Sequence, residues 1–194
     1  VAKSGAVPPL ITHAQSEDML TASYCCACLA NLAEMAENQI KIAFEGGVMP
    51  LISVMWSQFV EVQREAGRAV ANLSSNRQNQ EKIVQAGGHQ LLISYLLSPD
   101  TSCQRVGSLG IGNLATNPDL RVTLMESGAM EPLMSLGRSE DIEMEIQRFA
   151  VLAIANLVST VENHRAVVEE GTLPLLISLS NAPDEEVRQD AAYA

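Results

Sequence analysis

Aromatic residues make up only 4% of the 194-residue sequence, although 47% of its residues are hydrophobic. A core of Leu, Ile, Val, Ala and Met suits closely packed helices better than a sheet rich in aromatic and β-branched side chains. No hydrophobic run approaches the roughly 20 residues that a membrane-spanning helix needs. We therefore expect an all-α protein without direct membrane insertion.

Basic residues are also scarce, because 12 Lys and Arg stand against 23 Asp and Glu, for a net charge of −11. Proteins that bind phosphate backbones or anionic lipid surfaces neutralise them with Lys and Arg. This balance argues against a nucleic-acid partner and against docking on an anionic membrane. No signal peptide is recognisable, so we expect a cytoplasmic location.

What the sequence does contain is an internal repeat. Gly recurs at spacings of 41, 41, 41 and 43 residues, and Asn at 41, 41 and 43. The repeating residues are Gly5, Gly46, Gly87, Gly128 and Gly171, and Asn31, Asn72, Asn113 and Asn156. Self-similarity at such a period is typical of a solenoid, in which each repeat buries its apolar face against its neighbours.

Each repeat is predicted to contain three helices. The Gly ends a short helix, where a sharp turn requires a positive φ angle. A second helix follows, and a longer third helix ends near the Asn. In the third helix of repeat two the apolar positions follow the spacing i, i+4, i+7, i+8, i+11, which marks one helical face; they are Val62, Ala66, Ala69, Val70 and Leu73.

These boundaries predict one domain over residues 1–194, with a partial repeat at 1–34, repeats at about 35–75, 76–116 and 117–159, and a partial repeat at 160–194. Terminal repeats of a solenoid normally have a polar outer face. Both ends lack obvious capping repeats, so we expect a fragment of a longer array, with open repeat ends that allow self-association.

The motifs resemble the armadillo repeat. The matching stretches are Gly46-x-x-x-Pro50-Leu51-Ile52 and Ala66-x-x-Ala69-x-Ala71-Asn72-Leu73. The sequence of residues 79–88 is most similar to that of armadillo arrays such as the yeast vacuolar armadillo protein and its relatives in plants and protists. The resemblance implies a right-handed α-solenoid superhelix of about four and a half three-helix repeats. It also implies a non-catalytic adaptor that binds partner segments along a concave groove lined by third helices.

Helical geometry locates this groove. Positions −8, −4, 0 and +3 around each repeating Asn share one face at roughly 100° per residue. We call these positions the third-helix stripe: Ser23, Ala27, Asn31, Glu34, Arg64, Arg68, Asn72, Ser75, Arg105, Leu109, Asn113, Thr116, Arg148, Leu152, Asn156 and Ser159. The stripe has a balance of +3, which leaves −14 for the rest of the chain. A basic groove on an acidic body steers acidic partners toward it.

The residues predicted to bind a peptide are Asn31, Asn72, Asn113, Asn156, Arg64, Arg68, Arg105 and Arg148. An Asn amide offers both a donor and an acceptor, as a peptide backbone does, and Arg binds carboxylates or phosphates bidentately. The expected partner is therefore an extended, acidic or phosphorylated protein segment.

Two alternatives stand beside this interpretation. The Asn side chains would cap turns or join neighbouring repeats, and the Arg side chains would pair with Glu61, Glu65, Glu143 or Glu145. The alternative function is a structural spacer or self-associating array with an empty groove.

Nuclear-import adaptors of this family carry Trp four positions before the repeating Asn. Here those positions hold Ala27, Arg68, Leu109 and Leu152. The clamp for Lys side chains is absent, and the Arg side chain would repel a basic peptide. We therefore do not expect binding of import signals.

The remaining signals predict no catalytic site, cofactor or metal. Cys25 and Cys28 occupy the repeat positions of Ala66 and Ala69, so we expect them to pack in the core as reduced thiols. Gly107, Gly110 and Gly112 lie in a third helix without the preceding strand that a nucleotide loop requires. The lone Trp56 is expected to serve packing or a convex-surface contact.

Overall fold

A computed structural model describes residues 5–139 and 141–194. Those residues form helices and turns and contain no strand, which confirms the all-α prediction. The chain divides into two compact units, one running to Leu92 and the other from Ile93 to Ala194. The predicted repeat boundaries, which also take in residues 1–4 and 140 outside the described part, remain a prediction.

The first unit contains a short, a second and a longer third helix in the predicted order. Its helices are α1 (Val7–His13), α2 (Met19–Leu32), α3 (Ala36–Phe44), α4 (Val48–Val54), α5 (Val60–Leu73) and α6 (Arg77–Gln85). Helix α7 (Gly88–Leu96) contains the division between the units.

The second unit repeats the same order. Its helices are α8 (Thr101–Ala115), α9 (Pro118–Glu126), α10 (Met130–Arg138), α11 (Met144–Val158), a 3-10 turn (Val161–Asn163), α12 (His164–Glu169), α13 (Thr172–Leu179) and α14 (Glu185–Tyr193). The third helices of the two units are therefore α2 and α5, then α8, α11 and α14.

The core of each unit lies between successive third helices and the shorter helices behind them. Helix α2 packs against α5 in the first unit, and α11 packs against α8 and α14 in the second. The predicted apolar face of α5 is fully buried, since Val62, Ala66, Ala69, Val70 and Leu73 are each at most 1% exposed. Small residues at the helix contacts allow this close approach.

Four of the repeating glycines, Gly46, Gly87, Gly128 and Gly171, follow short helices as predicted. Gly5, Gly46, Gly87, Gly128 and Gly171 have φ between 70° and 81°, and no other described residue has a positive φ. This left-handed conformation costs a residue with a Cβ atom additional energy. The turn that starts each second helix therefore depends on Gly.

A second repeating Asn, seven residues after the first, caps the third helices. The Nδ2 groups of Asn38, Asn79 and Asn163 donate to the carbonyls of Leu32, Leu73 and Leu157 at 2.8, 3.2 and 2.9 Å, respectively. These carbonyls have no partner within the helix. The set is limited to α2, α5 and α11, since Leu120 stands at the equivalent position after α8, and it was not among the predicted residues.

The prediction that Cys25 and Cys28 pack in the core is wrong for both residues. Cys26 is buried, but Cys25 is only half-buried and Cys28 is exposed. Their equivalents Ala66 and Ala69 are buried in α5. Those positions face the third helix of the preceding repeat, and the described residues include no third helix before α2.

No single helix in the described ranges is long and apolar enough to cross a membrane. The pair Met144–Val158 and Val161–Glu169 meets the requirement of length and composition only when its halves are taken together across a 98° bend.

Candidate partner-binding face

In the first unit the third-helix stripe forms a hydrogen-bonded cluster on α2 and α5. The Arg68 guanidinium donates from Nη1 to Oδ1 of Asn31 at 2.8 Å. The Asn72 amide donates from Nδ2 to the carbonyl of Ala30 at 3.0 Å. Asn31 and Asn72 therefore lie on the same face, and each uses half of its amide to join the two helices.

The same Arg68 side chain is held by two carboxylates. Its Nε and Nη2 donate to Oε2 of Glu65 at 3.1 and 2.7 Å, and Glu34 lies 3.7 Å from Nη1. All three guanidinium nitrogens thus face an acceptor. Arg68 is consequently fixed in position at the point where import adaptors carry Trp.

In the second unit Arg105 on α8 reaches forward to the start of α11. Its Nη2 is paired with Glu143, and its Nε lies 3.0 Å from Oε2 of Glu145. Both carboxylates are about half exposed, at 50% and 56%. This ion pair joins neighbouring third helices across the stripe.

Arg148 on α11 repeats the arrangement with α14. Its Nε donates to Oδ1 of Asp184 at 3.0 Å, and its Nη1 lies 3.3 Å from Glu186. Asp184 is also the N-cap of α14, because it accepts from the backbone N–H of Val187 at 3.1 Å. The Arg148 hydrogen bond, followed by the Val187 backbone N–H, lowers the pKa of Asp184.

These contacts make the surroundings of the stripe arginines less basic than the sequence suggested. Arg68, Arg105 and Arg148 lie within 4 Å of six carboxylates, of which only Glu34 belongs to the stripe. The predicted balance of +3 counts the stripe alone. Around these three guanidinium groups, carboxylates are in the majority.

The remaining predicted residues lie on the same helical positions of their units. Arg64 on α5 and Asn113 on α8 are half-buried, and both interact with other groups. Asn156 is half-buried on α11 and makes no side-chain hydrogen bond with any described residue. At position −4 the second unit carries Leu109 and Leu152, the latter 38% exposed.

The stripe contains no arrangement of groups suited to a cofactor. Across the described ranges, no three His, Cys, Asp or Glu side chains lie close enough together to hold a metal ion. The chemistry that the stripe offers is hydrogen bonding, ion pairing and limited apolar contact. These are the means by which a surface binds another chain.

Repeated three-helix units with equivalent side chains on their third helices define an α-solenoid repeat protein. The sequence model of the armadillo/beta-catenin-like repeat matches residues 1–34. No curated protein sequence matches the chain significantly. Solved structures do match it over almost its whole length.

An engineered protein from the Northeast Structural Genomics Consortium is 31% identical with a TM-score of 0.91, covering 98% of this chain and 78% of that chain. A designed armadillo repeat protein is 28% identical with a TM-score of 0.92, covering 98% and 81%. Another designed armadillo repeat protein, in complex with the peptide (KR)4, is 29% identical with a TM-score of 0.90, covering 98% and 81%. The chain belongs to the armadillo-repeat family.

Proposed function

We propose that this protein is a non-catalytic scaffold whose third-helix stripe binds an extended segment of a partner protein. The observation that supports this most directly is the state of the two amides in the first unit. Asn31 keeps its Nδ2 group and Asn72 keeps its Oδ1 atom without a partner among the described residues. Together they offer one hydrogen-bond donor and one acceptor to the backbone of a bound partner segment.

The spacing of the third helices matches the length of a few residues of an extended segment. Packed helices lie roughly 8–10 Å apart, and a strand advances about 3.3 Å per residue. Each third helix therefore corresponds to about two to three residues of a bound segment. A designed armadillo repeat protein of similar fold is in complex with the peptide (KR)4. A further neighbour is described as designed for modular peptide recognition.

The charge of the partner follows from the ion pairs. An acidic segment would have to replace carboxylates already paired with Arg68, Arg105 and Arg148. Such an exchange gains little, because one carboxylate takes the place of another. Basic side chains of a partner would instead join exposed carboxylates such as Glu34 and Glu186. We therefore propose a segment with basic side chains, in place of the acidic or phosphorylated one expected from the stripe alone.

The role of the amides is tested with extended peptides of mixed sequence. We expect the double change Asn31→Ala and Asn72→Ala to weaken binding about 5- to 150-fold, since two hydrogen bonds of about 0.5–1.5 kcal/mol each are lost. The matched control is Asn181→Ala, an exposed Asn outside the stripe. Chemical denaturation checks that each variant is folded. Unchanged affinity in the folded double variant would contradict the proposed binding face.

The charge of the partner is tested separately with one peptide in three forms, bearing Lys, Glu or phosphoserine at alternate positions. We expect the Lys form to bind most tightly and to lose affinity as salt concentration rises. Tighter binding of the phosphoserine form would restore the original expectation. If no form binds and the mass in solution rises with protein concentration, a self-associating array is the better description.

A further inference from the structure

A cleft at the turn edge of the first unit is separate from the third-helix stripe. It lies between the turn after α1, at Gln15–Glu17, and the turn after α4, at Trp56–Gln58, and has a volume of about 530 Å³. Its floor is formed by Ala22 and Val62, which are 3% and 1% exposed. No residue of the stripe lines this cleft.

The indole ring of Trp56 stands at the mouth of the cleft. Trp56 is 75% exposed, so it does not serve core packing. Its indole N–H has no acceptor within the described part of the chain. Leaving a large aromatic surface in water is unfavourable, and an exposed Trp beside a cleft is a common feature of binding surfaces.

The cleft has the charge expected for a cation site. Its twelve lining residues include the carboxylate of Glu17 and no Lys, Arg or His. Glu17 is exposed and forms no ion pair with any residue in the described ranges. Asp18, next to it, is already used as the N-cap of α2, since it accepts from the Thr21 backbone N–H at 2.8 Å. Glu17 is therefore the carboxylate available to a ligand.

The equivalent clefts of the second unit lack this combination. One, of about 360 Å³, contains the carboxylates of Asp141 and Glu143 but no aromatic ring. Another, of about 320 Å³, is lined by Arg138 and has Asn181 where the first cleft has Trp56. Of these three clefts in the described ranges, only the one between α1–α2 and α4–α5 is lined by both an aromatic ring and a carboxylate without an ion pair.

We propose that this cleft binds a Lys or Arg side chain of a partner protein, with the cation against the face of Trp56 and beside the Glu17 carboxylate. The aromatic ring attracts the cation through its quadrupole, and the carboxylate adds charge complementarity. The apolar floor at Ala22 and Val62 accommodates the methylene groups of such a side chain. This site acts independently of the third-helix stripe.

Trp56 is the single Trp of the chain, so its fluorescence reports on the cleft directly. The probes are acetylated and amidated tripeptides Gly-X-Gly, in which X is Arg, Lys or the neutral norleucine. We expect saturable fluorescence changes with the Arg and Lys peptides and none with norleucine at the same concentrations. Equal binding of norleucine would overturn the proposal, because it would show apolar contact without cation recognition.

The carboxylate is tested by Glu17→Gln, with Glu81→Gln as the matched control, since Glu81 is exposed on α6 outside the cleft. We expect the first change to weaken binding of the Arg peptide about two- to fivefold and the second to leave it unchanged. Equal effects of the two variants would overturn the role of Glu17.

The aromatic ring is tested by Trp56→Leu, with binding followed by NMR chemical shifts of the cleft backbone. We expect binding to be lost, and retained binding would contradict the proposal. The Asn31→Ala and Asn72→Ala variant keeps the tripeptide response if the cleft acts alone. The two proposals therefore fail or hold separately.

Discussion

Stripe arginines of the two units pair in opposite directions from different positions: Arg68 stands at position −4, and Arg105 and Arg148 stand at position −8. In the first unit Arg68 turns back toward the preceding third helix, where it bonds Asn31 and lies near Glu34. In the second, Arg105 and Arg148 reach forward to carboxylates at the start of the next third helix. The backbone register is shared, whereas the ion pairing depends on which neighbour supplies a carboxylate.

This difference bears on what each unit presents to a partner. At position −4 the first unit has a guanidinium group fixed by acceptors, and the second has Leu109 and the partly exposed Leu152. We therefore infer polar recognition on α5 and apolar contact on α11.

Two Gly residues at different repeat positions, Gly47 in a turn of the first unit and Gly112 inside α8 of the second, are packed differently, and the same substitution tests both. A Cβ atom on Gly47 would lie 2.7 Å from the Cγ2 atom of Ile42 and 2.9 Å from its carbonyl oxygen. A Cβ atom on Gly112 would meet the carbonyl oxygen of Phe149 at 3.6 Å and the Cβ of Ala153 at 4.0 Å. The first contact is a clash with the backbone, and the second is ordinary van der Waals contact.

The largest expected effect is that of Gly47→Ala. We expect it to lower the free energy of unfolding by about 1–3 kcal/mol, because the tightly packed turn must shift to accept the added methyl group. Urea denaturation followed by circular dichroism measures the change. A stability equal to that of the wild type would mean that the Ile42 backbone moves without cost.

The matching change Gly112→Ala is expected to act in the opposite direction. It removes the flexibility of a Gly in the interior of α8 and should raise the free energy of unfolding by about 0.5–1 kcal/mol. The same denaturation experiment compares the two variants. Destabilisation by Gly112→Ala as well would contradict the space that surrounds Gly112.

The sequence predicted the parts of this structure that depend on local periodicity. The positive φ of Gly128 and the burial of Ala69 follow from turn chemistry and from the helical repeat. The partners of the Arg side chains did not follow. Arg148 and Asp184 are 36 residues apart, and their contact is created only when α11 packs on α14. A charge count along one stripe therefore could not include the neighbours that neutralise it.

The exposure of Cys28 is a second feature that the local sequence pattern could not predict. Its position in the repeat predicts burial, as for Ala69, but burial requires a preceding third helix that the described residues do not contain. Repeat position therefore predicts the direction of a side chain. Whether that direction is covered depends on the neighbouring repeat.

A pH effect specific to the first unit is expected from His89. Burial lowers its pKa below the ordinary value of 6.5, against a smaller opposing effect of a hydrogen bond with the Val84 backbone. Its Nδ1 atom has no hydrogen-bond partner, so protonation would add an unsatisfied buried donor. The unfolded state binds the proton more readily, and stability is therefore lost as pH falls below about 6.5.

This pH effect is measured by comparing unfolding at pH 7.5 and 5.5 in the wild type and in His89→Gln. We expect the variant to lose less stability over this interval. The exposed His164 serves as the control through His164→Gln. An identical pH dependence in the wild type and in His89→Gln would show that other groups cause it.

The smallest effect concerns the forward ion pair of the second unit. Arg148→Gln removes the main cause of the lowered pKa of Asp184, so the pKa should rise toward its ordinary value of 3.8. It should stay somewhat below that value, since the Val187 N–H still donates to the carboxylate. Carboxyl carbon shifts in an NMR titration measure the change, and Arg165→Gln, which breaks the exposed pair with Glu169, is the control.

The sign of the corresponding stability effect follows from the same shift. A lowered pKa in the folded state stabilises it above pH 3.8, and that contribution is lost as pH falls through the folded-state value. Arg148→Gln should therefore flatten the acid limb of the unfolding curve without altering the His89 region. An unchanged Asp184 titration would mean that the N-cap contact alone sets its pKa.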